Sequence, residues 1–381
     1  MPVKIIHFHN GSGGGVFSVI NNLLQFSQHN EIENHVIYTI NKEQTPLFVK
    51  PHLEGVASQQ VFYYSPKWNF YYTCKRLAAL LADERAVIVA HDWLELGMVS
   101  NLGLQNPVVQ VVHGDYDYYY ELVQKHEHSV DAVICISKSI YKKVKTIYAG
   151  TVLFQYVPVP PIQYKSRLYM DPVTLVFAGR CEKSKGYDLL PQIEHNLRRH
   201  NIRRKWIIAG SGSLEKENQL IWPPGTDITF AGELPQAELY KILQFADFFI
   251  LPSLAEGLPI SIVEAMKAGA VPLVNKGAGS SDEIISQAET GFLVENNEPS
   301  KYADFICSVI KDKDAMALIS RNAAEYSNCL FDPYKNTATY EQYFINAAAL
   351  KRKKRKAKVY GSRLDQTYLP NWFVYNIRNY L

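Results

Sequence analysis

The sequence predicts an α/β protein made of two doubly wound, Rossmann-like domains, each with a parallel β-sheet between helices. Two observations lead to this prediction. Short apolar segments rich in valine, isoleucine and aromatic residues alternate with helix-like segments along most of the 381 residues, and such alternation is typical of βα units. A proline-rich stretch, residues 157–161, interrupts the alternation. It is predicted to separate the two domains.

Six candidate strands precede the proline-rich stretch, and each is short enough for a buried strand of a parallel sheet. They lie at Val3–Phe8, His35–Tyr38, Val61–Tyr64, Ala86–Ala90, Val108–Val112 and Ala132–Ile136. Helical patterns such as Phe17–Ser27 and Tyr71–Asp83 separate several of them. We therefore expect residues 1–160 to form one domain.

Three prolines within four positions, Pro158, Pro160 and Pro161, cannot continue a helix or a central strand. The alternation resumes after them with five further candidate strands, at Thr174–Ala178, Trp206–Ala209, Ile228–Phe230, Phe248–Leu251 and Val271–Val274. Residues 161–332 are therefore predicted to form the second domain.

The C-terminal part has a different character. Residues 333–358 are predicted to begin with a helix that returns to the N-terminal domain and to end in a basic run, residues 351–358. That run carries seven positive charges although the net charge of the chain is only +3. The positive character is thus local, which argues against a nucleic-acid-binding surface. Residues 359–381 form an aromatic tail.

The five cysteines are widely scattered, and no pair has the short spacing of a zinc or redox site. Their odd number fits a reducing compartment. No apolar run approaches the ~20 residues needed to span a bilayer, and the first strand begins without a signal-like apolar stretch. These features predict a cytoplasmic protein.

Two glycine-rich loops each follow a predicted strand and precede a helix. Residues 11–15 form the first, and Gly210 and Gly212 belong to the second. Glycines let a backbone approach a ligand closely, and a helix N-terminus favours an anion or a polar group. Val16 and Glu215 occupy the position of the third glycine in a dinucleotide fingerprint, so NAD is disfavoured. Each loop alone is equally compatible with an ordinary tight turn.

Two cations follow the first strand of the second domain. Arg180 lies two residues after the end of that strand, and Lys185 lies five residues further on. Open α/β sheets bind ligands outside the carboxyl ends of their strands, and such cations suit the phosphates of a nucleotide diphosphate. They would stabilise the charge that develops on departing phosphates. Surface cations are common, however, and Lys183 is predicted to be merely solvated.

The most specific motif contains two glutamates. Glu256 lies in the loop after a strand, and Glu264 lies in a helix for which Pro259 suits the first turn. The amides of Gly257 and Leu258, together with the carboxylates, could bind sugar hydroxyls, because a carboxylate only accepts hydrogen bonds. The alternative is an acidic residue at a helix start and a solvated helical glutamate.

Two histidines mark strand ends in the first domain. His91, next to Asp92, follows the fourth candidate strand, and His113 follows the fifth. A lone histidine at such a place is more often structural than catalytic. The aromatic and acidic segment that begins near Tyr116 could line an acceptor groove or simply begin an amphipathic helix.

Taken together, these motifs resemble the retaining glycosyltransferase family four (glycosyl transferases group 1), whose GT-B fold has two Rossmann-like domains facing a cleft. The resemblance covers roughly residues 1–350. Glu256 and Glu264 are similar to the family's signature of two glutamates separated by seven residues. The other matching segments are Gly13–Gly15, His113-Gly114, Gly179-Arg180, Lys185-Gly186, Asp282–Ile284 and Gly291–Val294.

This resemblance implies a UDP- or GDP-sugar donor, retention of the anomeric configuration and no metal cofactor. Glu256 and the loop residues after it would bind the donor sugar, Glu264 the ribose, and Arg180 and Lys185 the diphosphate, while His113 would position the donor. Further donor-side candidates are Gly14, Gly15, Gly210, Gly212, Gly257, Leu258 and Pro259. Candidates on the acceptor side are Gly13, His91, Asp92 and Tyr116.

The acceptor is expected to be a hydroxyl of a glycan or a lipid-linked sugar, as in the synthesis of bacterial lipopolysaccharide or capsule. Residues 351–375 are a candidate for peripheral contact with an anionic membrane, although a solvated tail is an equal alternative. The linker lacks the Asn-Gly of many relatives. Other hypotheses are a sugar-nucleotide epimerase or phosphorylase with this fold, or an inactive assembly partner. The intact acidic and cationic motifs argue against them.

Overall fold

The computed structural model describes residues 2–45, 48–81, 85–165, 171–200, 202–350, 354–358 and 360–380. The chain forms two compact units. The first domain comprises residues 1–158 and 333–381, and the second comprises residues 159–332. Each domain is built on one parallel sheet flanked by helices. The predicted fold class is therefore confirmed.

The sheet of the first domain has seven strands in the order β3-β2-β1-β4-β5-β6-β7. They are β1 (Val3–His9), β2 (Ile32–Asn41), β3 (Ser58–Tyr64), β4 (Val87–Ala90), β5 (Val108–Val112), β6 (Ala132–Cys135) and β7 (Thr151–Phe154). The sequence predicted six of the seven. β7 was missed because it is a four-residue edge strand that is only partly buried, so its apolar pattern is weak.

Five helices connect these strands: α1 (Gly15–Gln25), α2 (Phe70–Ala78), α3 (Trp93–Leu102), α4 (Asp117–Lys125) and α5 (Lys138–Ile147). Strand β4 is completely buried, as are β5 and β6. Parallel strands covered on both faces have near-continuous apolar sequences, which is why these three were readily predicted.

The sheet of the second domain has six strands in the order β10-β9-β8-β11-β12-β13. They are β8 (Val173–Ala178), β9 (Arg204–Ala209), β10 (Ile228–Gly232), β11 (Phe248–Leu251), β12 (Val271–Asn275) and β13 (Phe292–Val294). The three-residue edge strand β13 was not predicted as a strand, since a segment so short has no measurable periodicity.

The described residues of the second domain form seven α-helices: α6 (Leu190–Leu197), α7 (Glu215–Ile221), α8 (Gln236–Leu243), α9 (Ile260–Ala268), α10 (Ser281–Ile284), α11 (Pro299–Val309) and α12 (Lys313–Leu330). Helix α9 is buried on nearly every side, and even Lys267 is fully buried. The Lys267 ammonium donates to the carbonyl oxygens of Val159 at 2.7 Å and Phe331 at 2.9 Å. A buried lysine of this kind needs such partners to offset its lost hydration.

The long helix α13 (Pro333–Ala348) packs in the first domain against α1, β1, β4 and β5. Its Tyr340 hydroxyl donates to the carbonyl oxygen of Gln155 at 3.0 Å, and Asn336 donates to that of Val157 at 3.3 Å. The helix therefore completes the core of the first domain.

The tail after α13 is also part of the first domain. Residues 351–353 of the predicted basic run lie outside the described residues. Arg355 is buried: it pairs with Asp131 at 2.5 Å and donates to two backbone carbonyls. The neighbouring lysines 354, 356 and 358 are exposed. The run is thus not uniformly exposed to solvent, because the guanidinium of Arg355 is buried within the first domain.

A final helix, α14 (Asn371–Tyr380), fastens the tail to α2. The side-chain oxygen of Asn371 accepts from the backbone N–H of Asn69 at 2.8 Å, and Arg378 donates to the backbone carbonyl of Trp68 at 2.6 Å. Val374 is fully buried. In the described part of the chain, no helix is both long and apolar enough to cross a membrane.

Candidate active site

The predicted residues of the second domain lie at the carboxyl ends of its central strands. Arg180 follows β8, Gly210 follows β9, and the loop 252–259 connects β11 to α9. This is the edge at which open α/β sheets place ligands. Three loops from neighbouring strands thus supply the candidate donor residues.

Close backbone packing joins two of these loops. Gly210 has φ +133°, and a Cβ there would lie 1.9 Å from the Gly179 carbonyl oxygen. A Cβ on Gly212 would lie 2.6 Å from the Cys181 carbonyl oxygen. Both glycines are therefore required for the loop after β9 to pack against the loop after β8. This structural role is sufficient to explain them, whether or not they also face a ligand.

Lys185 and Glu256 form an ion pair at this edge. The Lys185 Nζ lies 2.7 Å from both carboxylate oxygens of Glu256, and the Ser253 hydroxyl donates to the same carboxylate at 2.6 Å. The Glu256 side chain is 7% exposed and that of Lys185 19%. Two residues that we expected to contact different parts of a donor therefore contact each other here. The pair holds a cation and a hydrogen-bond acceptor side by side.

Arg180 is much more accessible. Its side chain is 67% exposed and lies 3.1 Å from the Glu182 carboxylate. An exposed ion pair of this type contributes little to stability, so the guanidinium can turn towards an anion at low cost. Lys183, which lies two residues before Lys185, is exposed as predicted.

Glu264 is buried within α9. It accepts hydrogen bonds from the Tyr240 hydroxyl at 3.0 Å and from Gln236 at 3.4 Å. Burial raises the pKa of Glu264 to about 7, against the opposing effect of these hydrogen bonds. Tyr240 and Gln236 lie on α8 and were not predicted, since nothing in their local sequence indicates a carboxylate partner.

The segment between the two glutamates is held by a second loop. The carbonyl of Gly257 accepts from both the hydroxyl and the amide of Ser280. Leu258 is buried, and Pro259 is the residue immediately before α9. Pro259 therefore lies at the N-cap of α9, one residue before the first turn in which it was predicted.

In the first domain, Asp92 caps helix α3. Its carboxylate accepts from the Trp93 amide at 2.8 Å, from the Tyr118 hydroxyl and from the Asn10 side chain at 3.4 Å. The buried Glu95 completes this capping box. Burial and the nearby Asp92 raise the pKa of Glu95 to about 8. Asp92 thus has a structural role beside the acceptor role predicted for it.

His91 and His113 belong to a buried chain of three histidines. The His91 Nδ1 lies 2.7 Å from the His113 Nε2, and the His91 Nε2 lies 3.3 Å from the His7 Nδ1. Burial lowers the pKa of both His7 and His113 to about 3, and that of His91 well below its usual value. All three rings are therefore uncharged at neutral pH.

His7 and His9 were missed by the sequence analysis. They occupy alternate positions of β1, so they point to the same face of the sheet. The Gly11 amide donates to the His9 Nδ1 at 3.1 Å, and burial lowers the pKa of His9 to about 4. The spacing of two histidines at the end of the first strand was the available signal.

The remaining first-domain candidates lie near the strand ends. Gly13 and Gly14 precede α1, which begins at Gly15, and a Cβ on either would meet no atom within 4 Å. Gly14 has φ +114°, which favours glycine. Tyr116 covers Gly114, where a Cβ would lie 2.4 Å from the tyrosine ring. Space is therefore open beside the first loop and filled beside Gly114.

No group of three or more histidine, cysteine, aspartate or glutamate side chains within the described ranges is arranged to hold a metal ion. The second domain thus has an ion pair, an exposed arginine and a buried carboxylate at its sheet edge, and the first domain by itself has a chain of neutral histidines.

Comparison with protein families gives a match to the model described as "Glycosyl transferases group 1" over residues 160–326. D-inositol 3-phosphate glycosyltransferase 1 of Catenulispora acidiphila is 25% identical over 274 residues, which cover 66% of this chain and 65% of that relative. An uncharacterized glycosyltransferase of Methanocaldococcus jannaschii is 28% identical over 284 residues, covering 65% of this chain and 72% of the relative. The chain thus matches about two thirds of the length of these relatives.

Two solved structures have the same fold. Sucrose-phosphate synthase from Thermosynechococcus elongatus superimposes with a TM-score of 0.76 at 14% identity, covering 90% of this chain and 98% of that one. Anabaena Alr3699/HepE, crystallised in complex with UDP and glucose, superimposes with a TM-score of 0.71 at 15% identity, covering 90% and 100%. At these identities the similarity establishes the fold alone.

Proposed function

We propose that the protein transfers a sugar from a nucleotide-diphosphate sugar to a hydroxyl acceptor, because residues 160–326 match the family model of glycosyl transferases group 1 and the chain has the GT-B fold. The family match covers the domain that carries Arg180, Lys185, Glu256 and Glu264. We assign the donor to the carboxyl edge of that domain's sheet.

The observation that carries this proposal is the Lys185–Glu256 pair. An ammonium group has three hydrogen-bond donors, and Glu256 accepts two of them. The third remains for a phosphate oxygen. The carboxylate, held by Lys185 and Ser253, is in turn a good acceptor for a sugar hydroxyl. One pair can therefore bind both parts of a sugar diphosphate.

In the proposed reaction, the acceptor oxygen forms a bond to the anomeric carbon while the bond from that carbon to the diphosphate breaks. The hydroxyl proton passes to the departing phosphate, and the configuration is retained. Negative charge grows on the diphosphate as it leaves. Arg180 and Lys185 would stabilise this charge, which is how fixed cations accelerate such a step.

Glu264 would bind the ribose. As a carboxylate it accepts hydrogen bonds from two neighbouring hydroxyls. Because burial raises its pKa to about 7, the fraction that is ionised changes across the physiological range. Tyr240 and Gln236 would hold the carboxylate in place for this contact.

The base of the nucleotide is proposed to be uracil or guanine. The Anabaena neighbour was crystallised with UDP and glucose, which supports UDP-glucose as the first donor to test. GDP-sugars remain the second choice. We propose that transfer requires no metal cofactor.

The acceptor is proposed to be a glycan or a lipid-linked sugar, in the synthesis of a bacterial surface polysaccharide such as lipopolysaccharide or capsule. Several relatives are named D-inositol 3-phosphate glycosyltransferases, so a small polyol acceptor is the alternative. Gly13, His91, Asp92 and Tyr116 stay the candidates for the acceptor side. The hydrogen bonds between Asp92, Asn10 and Tyr118 are of the kind that hydroxyl groups can join.

We also propose a cytoplasmic location with peripheral contact at the inner face of the membrane. The exposed lysines at 354, 356 and 358 and the exposed rings of Tyr368 and Trp372 support this proposal. Arg355 would not contribute, because its guanidinium is buried.

Nucleotide binding tests the donor site. We expect Arg180→Ala and Lys185→Ala each to weaken UDP or GDP binding by about tenfold or more, since each removes a charge-assisted hydrogen bond. Lys183→Ala is the matched control, because Lys183 is an exposed lysine in the same loop and is expected to leave affinity unchanged. Isothermal titration calorimetry would measure all three. Equal affinity in the wild type, Arg180→Ala and Lys185→Ala would show that the assignment is wrong.

Turnover separates the enzyme from the alternatives. Release of UDP or GDP from a sugar nucleotide, with the sugar recovered on an acceptor, is expected of a transferase. Isomerisation of the donor sugar without release would indicate an epimerase, and binding without turnover would indicate an inactive assembly partner.

A further inference from the structure

Two neighbouring asparagines after β13 have a left-handed backbone. Asn296 has φ +57° and Asn297 has φ +53°. Residues other than glycine adopt this conformation at a cost in energy, although asparagine tolerates it better than most. Such local strain is often found beside functional sites. The contacts of the two side chains decide which of these residues has a role there.

The Asn297 side chain is held at both ends. Its Nδ2 donates to the carbonyl oxygen of Pro252 at 2.8 Å, and its Oδ1 accepts from the Tyr302 hydroxyl at 2.7 Å. Tyr302 is completely buried, so this hydroxyl is a fixed anchor. Asn296, by contrast, is exposed. Asn297 therefore connects the core of the second domain to the first residue of the loop 252–259.

The Pro252 carbonyl is also the point against which the loop of Lys185 packs. Gly186 has φ +65°, and a Cβ there would lie 1.9 Å from this oxygen. On the other side of Lys185, the carbonyl of Ser184 accepts from the backbone N–H of Leu254 at 2.9 Å. The backbone of Lys185 is thus set by the loop that begins at Pro252.

The same loop carries Glu256. The hydroxyl of Ser253 donates to the Glu256 carboxylate at 2.6 Å, and the backbone carbonyl of Ser253 accepts from the Asn275 side chain at 2.9 Å. The Lys185 Nζ lies 2.7 Å from both oxygens of that carboxylate. A shift of the Pro252 carbonyl would therefore move both members of the ion pair.

We propose that Asn297 is a positioning residue of the donor site. By holding the Pro252 carbonyl, it keeps Lys185 and Glu256 in the arrangement that binds the diphosphate and the sugar. The left-handed backbone is the conformation in which its carboxamide contacts Pro252 and Tyr302 together. This inference rests on the proposed function, because it takes the ion pair as the group that binds the donor.

Two glycine variants of the full chain separate this role from the relief of strain. Glycine adopts the left-handed conformation readily, so Asn296→Gly and Asn297→Gly both relieve strain, but only Asn297→Gly removes the two side-chain contacts. We expect Asn297→Gly to weaken UDP binding about fivefold, since it removes a hydrogen bond that orders the site. With UDP-glucose, kcat should fall about tenfold. Asn296→Gly should leave both values unchanged, and equal losses in the two variants would overturn the proposal.

Asn297→Asp tests the amide donor alone. The carboxylate keeps the size of the side chain and an acceptor for Tyr302, but it cannot donate to the Pro252 carbonyl. We expect the UDP affinity and kcat of this variant to match those of Asn297→Gly. Wild-type values would contradict the proposal.

A double-mutant cycle tests whether Asn297 acts through Lys185. We expect Asn297→Gly combined with Lys185→Ala to bind UDP no more weakly than Lys185→Ala alone, because the effects of a residue and of the residue that positions it are not additive. A second loss of about fivefold in the combined variant would show that Asn297 acts elsewhere, as a merely structural residue would.

Crystal structures of the two glycine variants distinguish a failure of this inference from a failure of the proposed function. We expect the Lys185–Glu256 contact to be displaced in Asn297→Gly and kept in Asn296→Gly. An unchanged contact in Asn297→Gly would overturn the inference. A displaced contact, together with UDP affinity that Lys185→Ala does not affect, would support the positioning of the pair by Asn297 and contradict the donor assignment.

Discussion

Two opposing effects act on the ionisation of the Glu264 carboxylate. Burial raises its pKa to about 7, whereas the hydrogen bonds from Tyr240 and Gln236 favour the ionised form. An ionised group in this place is costly to the folded state. The chain keeps it nevertheless, which is typical of residues that serve a ligand.

We expect Glu264→Gln to stabilise the protein at high pH and to weaken nucleotide binding. An unfolded glutamate ionises near 4.5 and the folded Glu264 near 7. The folded state thus binds more protons in this interval, so the stability contributed by this group falls as pH rises through it. The variant should be more stable than the wild type above pH 7, by on the order of 1–3 kcal/mol.

Thermal and urea unfolding at about pH 8 and about pH 5 would measure this difference, which should nearly vanish at the lower value. Nucleotide affinity should fall in the wild type as pH drops below 7 and be uniformly weak in the variant. Glu289→Gln, at an exposed glutamate, is the control. A variant that is less stable than the wild type at pH 8 would contradict the effect of burial.

Among single residues, the sequence identified candidates for the site but not the residues that they contact. Lys185, Glu256 and Glu264 were selected because of their spacing relative to strands and glycines. That Lys185 pairs with Glu256 was not predictable, since the two are 71 positions apart and only the fold brings them together. His7 and His9 were not predicted, because they look like ordinary strand residues in the sequence and the contact of His7 with His91, 84 positions away, exists only in the fold.

Among the elements, the tail differs most from its sequence-based interpretation. A run of like charges normally indicates a solvated face, and the sequence offers no sign that Arg355 differs from the lysines around it. Its carboxylate partner, Asp131, lies 224 positions earlier. The strands were predicted better, because burial on both faces leaves a continuous apolar pattern within each segment.

Arg355→Ala should destabilise the first domain by about 3–5 kcal/mol, because it leaves the buried Asp131 without its cation. Lys356→Ala, one position further on and exposed, should change stability by less than about 0.5 kcal/mol. Chemical denaturation of both variants would measure this contrast. Equal stabilities would mean that the Arg355–Asp131 pair does not hold the tail.

For the whole molecule, the fold class was predictable from alternation alone, and the prolines near residue 158 indicated the division into two domains. The sequence did not indicate that the tail packs against the first domain. Residues 358, 360 and 371 form hydrogen bonds with residues of α3 and with the N-cap of α2, so a truncation at residue 350 would expose part of the first domain. Truncation is therefore a poor test of membrane contact.

Point variants on the tail test membrane contact without this damage. We expect the full chain to float with vesicles of anionic phospholipid and not with vesicles of neutral phospholipid. Tyr368→Ala combined with Trp372→Ala should reduce flotation about fivefold or more, since exposed aromatic rings favour the interface. Leu220→Ala, at an exposed apolar residue of the second domain, should have no effect. Undiminished flotation of the double variant would exclude these rings as the contact.

The buried ammonium of Lys267 has a further consequence. It binds the carbonyls of Val159 and Phe331, whose own backbones are hydrogen-bonded at 3.3 Å. The second domain therefore begins and ends at a single point, like a sequence inserted into one loop of the first. A segment with adjoining ends can be exchanged as a cassette. If the second domain binds the donor, as we propose, exchange of this segment between relatives would change the donor in one step and leave the first domain unaltered.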